Sequence, residues 1–282
     1  MKNILLISLI IISGQLLFAF EHFKLDFNDA AEASGIIAGY INKDLLYTHN
    51  DSGGKPIIYI LDYHGKKKGE WLLKGIKNRD WEEIAISQEN GKSFIFIGDI
   101  GDNKAKHNYC SIYKFSEMQF DNNMPNTIIK NIQEIKYQYE DGPRDAEAFF
   151  IDPLTNDIII ISKREPNVGI YKISHPYSNK EMNIAKKICT LAGNWVVAAD
   201  ISKDGSKILI KNYLNIWLYE RYLDEDLCKT FAKKPQLMEY QLEIQGEAVC
   251  WDYENKGYFT LSERVDEKDN QFLFYYKLKP NN

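Results

Sequence analysis

The chain is a succession of short apolar runs separated by polar turns rich in Asn, Asp and Gly. Residues 84–86, 93–97 and 111–115 are typical runs, and the polar turn at 88–91 separates the first two. Runs of this length bounded by turn residues predict β-strands joined by hairpins rather than helices. Several runs are apolar almost throughout, which indicates strands buried on both faces.

One unit of this pattern recurs five times, at intervals of roughly 50 residues. Each unit has a polar entry to its first strand, a hairpin to a second strand, and an aromatic residue near the centre of a third. Four short strands per repeat predict an all-β fold of the β-propeller type. We expect five four-stranded blades, with six as the alternative if a long unit hides an irregular blade. The aligned anchor positions are Ser34, Glu82, Glu147, Ala199 and Glu247.

The fifth unit ends at its third strand, so an outer strand is missing there. The segment 22–27 can supply it, since mixing the two ends of the chain in one blade removes an open sheet edge. We therefore predict a single domain over 21–282. Lys2 and the apolar stretch after it predict a signal peptide over 1–20, with an uncleaved anchor as the alternative. The mature protein is expected to be exported, periplasmic or secreted, monomeric, and off the membrane after cleavage.

Composition narrows the choice of partners. The formal net charge of -5 argues against nucleic acid, because binding to phosphates requires a basic surface. A hydrophobic content of 44% suits a packed globular core. The cysteines have no C-x-x-C spacing, so a zinc site is disfavoured, and their spacing leaves any disulfide pairing open. They are Cys110, Cys189, Cys228 and Cys250.

The most informative chemical feature is a set of acidic residues at equivalent places in the repeat. In a propeller the first strands line a central channel, and the loops before strand one and after strand two meet at one end of it. Clustered carboxylates must be neutralised, either by a cation or by Arg and Lys partners such as Arg79 and Arg264. Oxygen ligands suit Ca²⁺, which we predict as the cofactor. The candidate metal ligands are Asp51, Asp80, Glu82, Asp99, Asp102, Asp145, Glu147 and Glu247.

Other side chains around this funnel are candidates for contact with a small molecule, a glycan or a protein. If the protein is an enzyme, the catalytic candidates are Glu82, Glu147 and Glu247, with one of them as base. A serine nucleophile is disfavoured because the chain has no Gly-x-Ser-x-Gly elbow. The candidate ligand-binding residues are His49, Asn50, Lys163, Arg164 and Glu263.

Long stretches of the chain resemble a group of exported bacterial β-propeller proteins that mostly lack an assigned function. The likeness covers nearly all of the mature chain and rests on residues 48–53, 80–85, 97–103, 142–148 and 245–249. More distantly, the acidic first strands are similar to calcium-binding propellers of the phytase-like and lactonase-like (regucalcin-like) kind. That wider resemblance implies a metal-dependent hydrolase as one activity to consider.

Three functions are therefore open at this point. The first is a ligand-binding or scaffold protein whose acidic funnel holds a cation. The second is a metal-dependent hydrolase of small esters, lactones or phosphoesters. The third is a glycosidase-type enzyme that uses two funnel carboxylates as acid and base, with Trp81, Trp195 and Tyr213 as aromatic residues that could stack on a sugar.

Overall fold

A computed structural model describes residues 20–266 and 268–278 of the chain. Apart from Phe20, the predicted signal peptide lies outside these residues. The described part contains 21 strands and one short helix, which confirms the prediction of an all-β fold. The elements are β1 (Phe20–Lys24), β2 (Ala33–Ala38), β3 (Leu45–Asn50), β4 (Ile57–Asp62), β5 (Lys67–Leu73), β6 (Trp81–Glu89), β7 (Lys92–Asp99), β8 (Cys110–Ser116), β9 (Asn126–Ile129), β10 (Gln133–Tyr139), β11 (Ala146–Ile151), β12 (Ile158–Ser162), β13 (Asn167–Ile173), β14 (Asn183–Ala192), β15 (Val196–Ile201), β16 (Lys207–Asn212), β17 (Ile216–Glu220), α1 (Leu227–Phe231), β18 (Gln236–Leu237), β19 (Gly246–Trp251), β20 (Gly257–Ser262) and β21 (Phe272–Lys277).

The strands form four hydrogen-bonded sheets. Two have four strands each, in the orders β1-β21-β20-β19 and β15-β16-β17-β18. A third has the order β2-β3-β4-β5-β9, and the fourth has eight strands in the order β11-β12-β13-β14-β10-β8-β7-β6. Most neighbours along the chain pair antiparallel, as the hairpin turns predict.

Two parallel contacts distinguish these sheets from five separate four-stranded units. In the eight-stranded sheet, β10 pairs in parallel with β14 over only three residue pairs, and this short contact joins two groups of four strands. In the five-stranded sheet, β9 pairs in parallel with β5. Both contacts are made by outer strands whose free edges would otherwise face solvent, so they cover sheet edges.

The innermost strand of each group of strands is almost completely buried. These strands are β2, β6, β11, β15 and β19. Each packs mainly against two others, in the circular sequence β2, β6, β11, β15, β19 and back to β2. The ring therefore brings residues from distant parts of the chain to one central axis.

The hydrophobic core lies between neighbouring groups of strands. It divides into four clusters, each built from side chains of at least two groups. Phe96 and Phe149, for example, come from different groups and share one cluster with Tyr171. Apolar side chains that alternate along a strand give each sheet two packing faces, so the groups stack face to face around the axis.

The ends of the chain meet in one sheet, as predicted. The β1 strand pairs antiparallel with β21 over five residue pairs, from Phe20 with Tyr276 to Lys24 with Phe272. It supplies the outer strand that the last unit lacks. The pairing makes the N-terminal and C-terminal regions depend on each other for stability.

One predicted strand is much shorter than expected. The more polar stretch at 236–244 predicts the outer strand of the fourth unit, but only Gln236–Leu237 pairs with β17. Beyond it, the backbone bonds to tyrosines of the next sheet. The hydroxyl of Tyr258 donates to the oxygen of Glu239 at 2.5 Å, and the nitrogen of Gln241 donates to the hydroxyl of Tyr276 at 3.0 Å. These tyrosine hydroxyls take the place of the hydrogen bonds that a neighbouring strand would make with this backbone.

Neither a membrane helix nor a disulfide is seen in the described ranges. No helix within 20–266 and 268–278 is long and apolar enough to span a membrane. All four cysteines carry free thiols, with Cys110 and Cys250 buried and Cys189 and Cys228 half-buried.

Candidate functional site

Each of the five inner strands contains a β-bulge close to its start. In every case the neighbouring strand skips one residue of the inner strand, which is left without a ladder partner. A bulge bends the strand and re-aims the side chain of the extra residue. The skipped residues are Ser34, Glu82, Glu147, Val197 and Glu247. One local geometry is therefore repeated five times, and three of the copies present a glutamate.

The bulge at Val197 corrects the alignment of the fourth unit. The sequence pattern equates Ala199 with Glu82. The register of β15 against β16 instead skips Val197 and pairs Ala199 with Ile210. The bulge in this unit is apolar, so no polar residue marks it in the sequence, and Asp200 lies further along the strand.

Three carboxylates converge beside the bulge of β6. One oxygen each from Asp51, Asp80 and Glu82 lies within 4.8 Å of the other two. We call these three residues the acidic cluster. The side-chain amide of Asn78 donates to the backbone oxygen of Asn50 at 3.0 Å and also to that of Asp51. It therefore ties the loop after β3 to the loop before β6, which brings the three carboxylates together.

The main chain at Gly101 forms one wall of the acidic cluster. A Cβ atom at this position would clash with the carboxylate oxygens of both Glu82 and Asp80. The backbone nitrogen of Gly101 also donates to the backbone oxygen of Asp80 at 3.3 Å. A glycine here leaves just enough room for the two carboxylates, so this side of the cluster can take only a small occupant.

Other predicted metal ligands are already neutralised by basic side chains. Arg79 Nε lies 3.1 Å from Asp99 Oδ1, and Arg164 Nε lies 2.5 Å from Asp145 Oδ2. The acidic cluster differs from these pairs. Across 20–266 and 268–278, no Lys, Arg or His nitrogen lies within the 4.0 Å of an ion pair from any of its carboxylates. The structure thus separates acids held by ion pairs from acids that are left without a cation.

The remaining two bulge glutamates are linked by a chain of polar side chains. Lys163 Nζ forms an ion pair with Glu147 Oε1 and donates to the hydroxyl of Tyr213 at 3.1 Å. That hydroxyl in turn donates to Glu247 Oε1 at 2.6 Å. Glu147 and Lys163 are both almost fully buried, and Glu147 Oε2 has no hydrogen-bond partner. An unpartnered buried carboxylate oxygen is costly and points to a missing polar partner.

An aromatic side chain lies over the basic residues next to this network. The Trp195 ring is 43% exposed, 5.1 Å from the guanidinium carbon of Arg164 and 5.7 Å from Lys163 Nζ. Its backbone has φ of 58°, a left-handed conformation that is unfavourable for a bulky residue. The backbone nitrogen of Trp195 donates to the oxygen of Lys163 at 2.6 Å, which holds the turn in place. Such strain at an exposed aromatic is typical of ligand-contacting surfaces.

Two further predicted residues stabilise loops around the site. The carboxylate of Asp102 accepts from the backbone nitrogens of Lys106 at 2.9 Å and His107 at 2.8 Å. The side chain of Asn50 donates to the backbone oxygen of Asp29 at 2.7 Å. Both side chains shape the rim by fixing the main chain.

The last two predicted contact residues lie in very different surroundings. His49 is completely buried, its Nδ1 is 3.0 Å from the backbone oxygen of Asn50, and burial lowers its pKa to about 4. It is therefore a neutral residue beneath the rim. Glu263 is half-buried, and burial followed by repulsion from nearby carboxylates raises its pKa to about 7. The repelling carboxylates include Glu247 and Asp51, and Asp51 belongs to the acidic cluster.

The carboxyl groups at the centre of the site resist ionisation. Burial, followed by repulsion from Asp80, raises the pKa of Asp51 to about 7. Burial also raises the pKa of Glu82, with repulsion from Glu147 as the next cause. Burial raises the pKa of Glu147 to about 8, although its partner Lys163 opposes the shift. Like charges taken out of water retain protons unless a cation neutralises them.

Sequence reasoning missed a fourth acid on the same axis, Glu83. It is completely buried, and its carboxyl oxygens accept from the backbone nitrogens of Ile84 at 3.0 Å and Ala199 at 3.1 Å. Ala199 belongs to β15, so this side chain reaches from β6 to another inner strand. Burial raises its pKa well above the usual range. The signal that could have revealed it is the small residue opposite, Gly35, where a Cβ would crowd Glu83.

Comparison with known proteins assigns no family. No protein-family model and no curated protein matches the chain. The function must therefore be inferred from the chemistry of the site itself.

Proposed function

We propose that the chain is a five-bladed β-propeller and that its function lies at one end of the central channel. The ring of β2, β6, β11, β15 and β19 supports this proposal, because each ring strand begins a group of consecutive antiparallel strands. The joined eight-stranded sheet divides into two such groups at its short parallel contact. The five equivalent bulges support the same count. This architecture agrees with the resemblance to exported bacterial propellers.

The acidic cluster is proposed to bind a divalent cation, with Ca²⁺ as the favoured ion. The observation that carries this proposal is the approach of Asp51, Asp80 and Glu82 to within 4.8 Å of one another, with no ion-pair partner among the residues that the structure describes. Oxygens on opposite sides of a Ca²⁺ ion lie about 4.8 Å apart, since each Ca–O distance is about 2.4 Å. The donors are all carboxylate oxygens, which suits a hard cation, and Asp51 Oδ1 is buried without a hydrogen-bond partner.

A cation at this place would make the funnel a ligand-binding site. The ion would be flanked on one side by the network of Lys163 and Tyr213, and on the rim by the exposed Trp195. A positive ion, a basic side chain and an aromatic face together suit a small molecule or glycan with oxygen donors. We therefore propose an exported, monomeric binding or scaffold protein that uses the bound cation to hold its ligand.

Thermal unfolding with and without Ca²⁺ tests the cation proposal. A ligand at about 100 times its Kd stabilises the folded state by about 2.7 kcal/mol, or a melting temperature rise of about 5–10 °C for a domain of this size. Chelation should remove the rise. The Glu82→Gln variant should lose the response to Ca²⁺ and yet be no less stable than the parent in chelator, because a neutral amide replaces a carboxyl group whose ionisation burial already opposes. Glu263→Gln is the matched control, a rim acid outside the acidic cluster, and should keep the response.

Two results would contradict the cation proposal. One is an unchanged melting temperature across Ca²⁺, Mg²⁺ and chelator. The other is a Glu82→Gln variant that keeps the full Ca²⁺ response while Glu263→Gln loses it, since this would move the ion to a different group of carboxylates.

A metal-dependent hydrolase is the second candidate, and one observation favours it. Glu147 Oε2 is buried without a partner beside the acidic cluster, and the pKa of Glu147 is raised to about 8, close to the value that suits an acid–base group at neutral pH. The ion would supply Lewis-acid polarisation of a substrate oxygen. Glu147 would move the proton, held in place by Lys163.

The hydrolase candidate has its own test. In a screen of lactones, small esters and phosphoesters, Glu147→Gln should abolish turnover while the variant keeps its Ca²⁺-dependent rise in melting temperature. A screen in which the parent protein turns over none of these substrates leaves the binding function as the conclusion.

A further inference from the structure

The α1 helix links two groups of strands on the outside of the ring. It lies in the connection between β17 and β18 but packs against β14 of the preceding group. Leu227 and Phe231 are buried in the same core cluster as Val168 and Ile170. The carboxylate of Asp226 caps the helix by accepting from the nitrogen of Lys229 at 3.0 Å. The position of the helix on β14 is therefore fixed by packing and by its cap.

A bulge in β14 brings a cysteine of this strand next to the helix. The register of β13 against β14 shifts between Ile170 and Tyr171, and the strand residue without a partner is Ile188. The thiol of Cys228 in α1 donates to the backbone oxygen of Ile188 at 3.3 Å. The next residue is Cys189, which is half-buried in the same cluster. The two cysteines therefore face each other across the contact between helix and strand.

We propose that Cys189 and Cys228 form a disulfide that fastens α1 to β14. Cys228 Sγ contacts the residue next to Cys189, and the two thiols are close enough to influence each other's ionisation. A disulfide would bring the sulfurs to about 2.05 Å. Burial and the neighbouring Cys228 both raise the pKa of Cys189, which keeps this thiol protonated at neutral pH. Spontaneous oxidation should therefore be slow, because the thiolate is the reactive form.

The proposed reaction is a thiol–disulfide exchange. One thiol, as its thiolate, attacks the disulfide of a thiol oxidoreductase and forms a mixed disulfide. The second thiol then displaces the oxidoreductase. The Cys189–Cys228 bond forms, and the two electrons and two protons of these thiols pass to the oxidoreductase, which leaves as a dithiol. Such oxidants act outside the cytoplasm, which is where the chain is predicted to reside.

The other two cysteines serve as internal controls. Cys110 and Cys250 are both buried and lie on different strands, β8 and β19. The thiol of Cys110 contacts the backbone oxygen of Ile100 at 3.7 Å. Neither has a cysteine as hydrogen-bond partner, so both should stay reduced under conditions that oxidise the proposed pair.

Peptide mapping of the folded protein tests the proposal. The purified chain is incubated with a disulfide-form oxidoreductase of the thioredoxin type and a glutathione buffer, then alkylated under denaturing conditions and digested with trypsin. The expected product is a linked pair of peptides, 188–203 and 222–229, that separates on reduction, with Cys110 and Cys250 alkylated. Oxidised protein should melt several degrees above reduced protein, and Cys228→Ser should abolish both the link and the difference.

Alkylation of Cys189 and Cys228 after this treatment would overturn the proposal, as would glutathione attached to each of them in place of a link. A link that involves Cys110 or Cys250 would overturn it as well. A linked pair whose formation leaves the melting temperature unchanged would still establish the bond, since the mapping result alone decides it.

Discussion

The side chain of Glu117 joins two groups of strands by hydrogen bonds, so its removal should lower the free energy of unfolding. It follows β8, yet its carboxylate accepts from the turn between β2 and β3. The donors are the backbone nitrogens of Tyr40 at 3.2 Å, Ile41 at 2.9 Å and Asn42 at 3.2 Å, and the hydroxyl of Tyr47 at 2.9 Å. Glu117 is 4% exposed, so the interaction is shielded from solvent.

The size of the effect follows from the number of donors left without an acceptor. Glu117→Ala leaves three backbone N–H groups of a partly buried turn without their acceptor, and an unsatisfied buried group costs about 1–3 kcal/mol. Partial access of water and relaxation of the turn reduce the total, so we expect a loss of about 4 kcal/mol in the free energy of unfolding. Globular domains have only about 5–15 kcal/mol in total, so this is a large part of the stability. Glu117→Gln should lose about half as much, because one acceptor oxygen remains.

Urea unfolding followed by tryptophan fluorescence measures the loss. With a slope of about 2–3 kcal/mol per molar urea, the midpoint for Glu117→Ala should fall by about 1.3–2 M. The control is Glu254→Ala, which removes a solvent-exposed ion pair with Lys256 and should leave the midpoint unchanged. The reasoning would be refuted if Glu117→Ala shifted the midpoint no more than Glu254→Ala, or if Glu117→Gln were the more damaging variant.

Two further predictions concern buried ionisable groups. Burial raises the pKa of Asp200 to about 7, so the folded state keeps a proton that the unfolded chain loses near pH 4. The protonated carboxyl group therefore adds to the free energy of unfolding below pH 4, and this stabilisation is lost as pH rises through 7. The stabilisation amounts to up to about 4 kcal/mol. Asp200→Asn should therefore flatten the plot of unfolding free energy against pH between 4 and 8. Parallel curves for the parent and the variant would contradict this reasoning. Lys211 and Glu243 are both buried and interact electrostatically, and burial lowers the pKa of the lysine to about 8. Lys211→Met should cost about 3 kcal/mol in urea unfolding, and adding Glu243→Leu should recover most of it; a double variant no better than the single one would contradict the pairing.

Much of the fold could be predicted because its elements are local. Short apolar runs and turn residues give the strands, and the pairing of β1 with β21 follows from the outer strand missing at the end of the repeat. The parallel pairs β5–β9 and β10–β14 could not be predicted. They are contacts between neighbouring groups of strands, which leave no periodic signal in the sequence. The contact of Glu117 with the turn between β2 and β3 was missed for the same reason.

The site was predictable only in outline. Repeated glutamates marked three of the five bulges, but an apolar bulge at Val197 carried no signal and was misaligned. Sequence could not divide the acids into those paired with arginine, such as Asp99, and those without a cation, such as Asp80. That division depends on distances of a few ångströms between loops of different units. The role of Gly101 could not be predicted for the same reason. Its lack of a side chain leaves room for the carboxylates of Asp80 and Glu82.

The five bulges share one geometry but carry different side chains, which limits the repulsion between them. Five glutamates at equivalent buried positions would repel one another, and each would hold a proton. In the circular order of the inner strands, Val197 lies between Glu147 and Glu247, and Ser34 lies between Glu247 and Glu82. Ser34 uses its hydroxyl to donate to the backbone oxygen of Glu82 at 2.7 Å, so it supports the neighbouring bulge without adding charge. Lys163 forms an ion pair with Glu147, the hydroxyl of Tyr213 donates to Glu247, and Glu82 belongs to the acidic cluster.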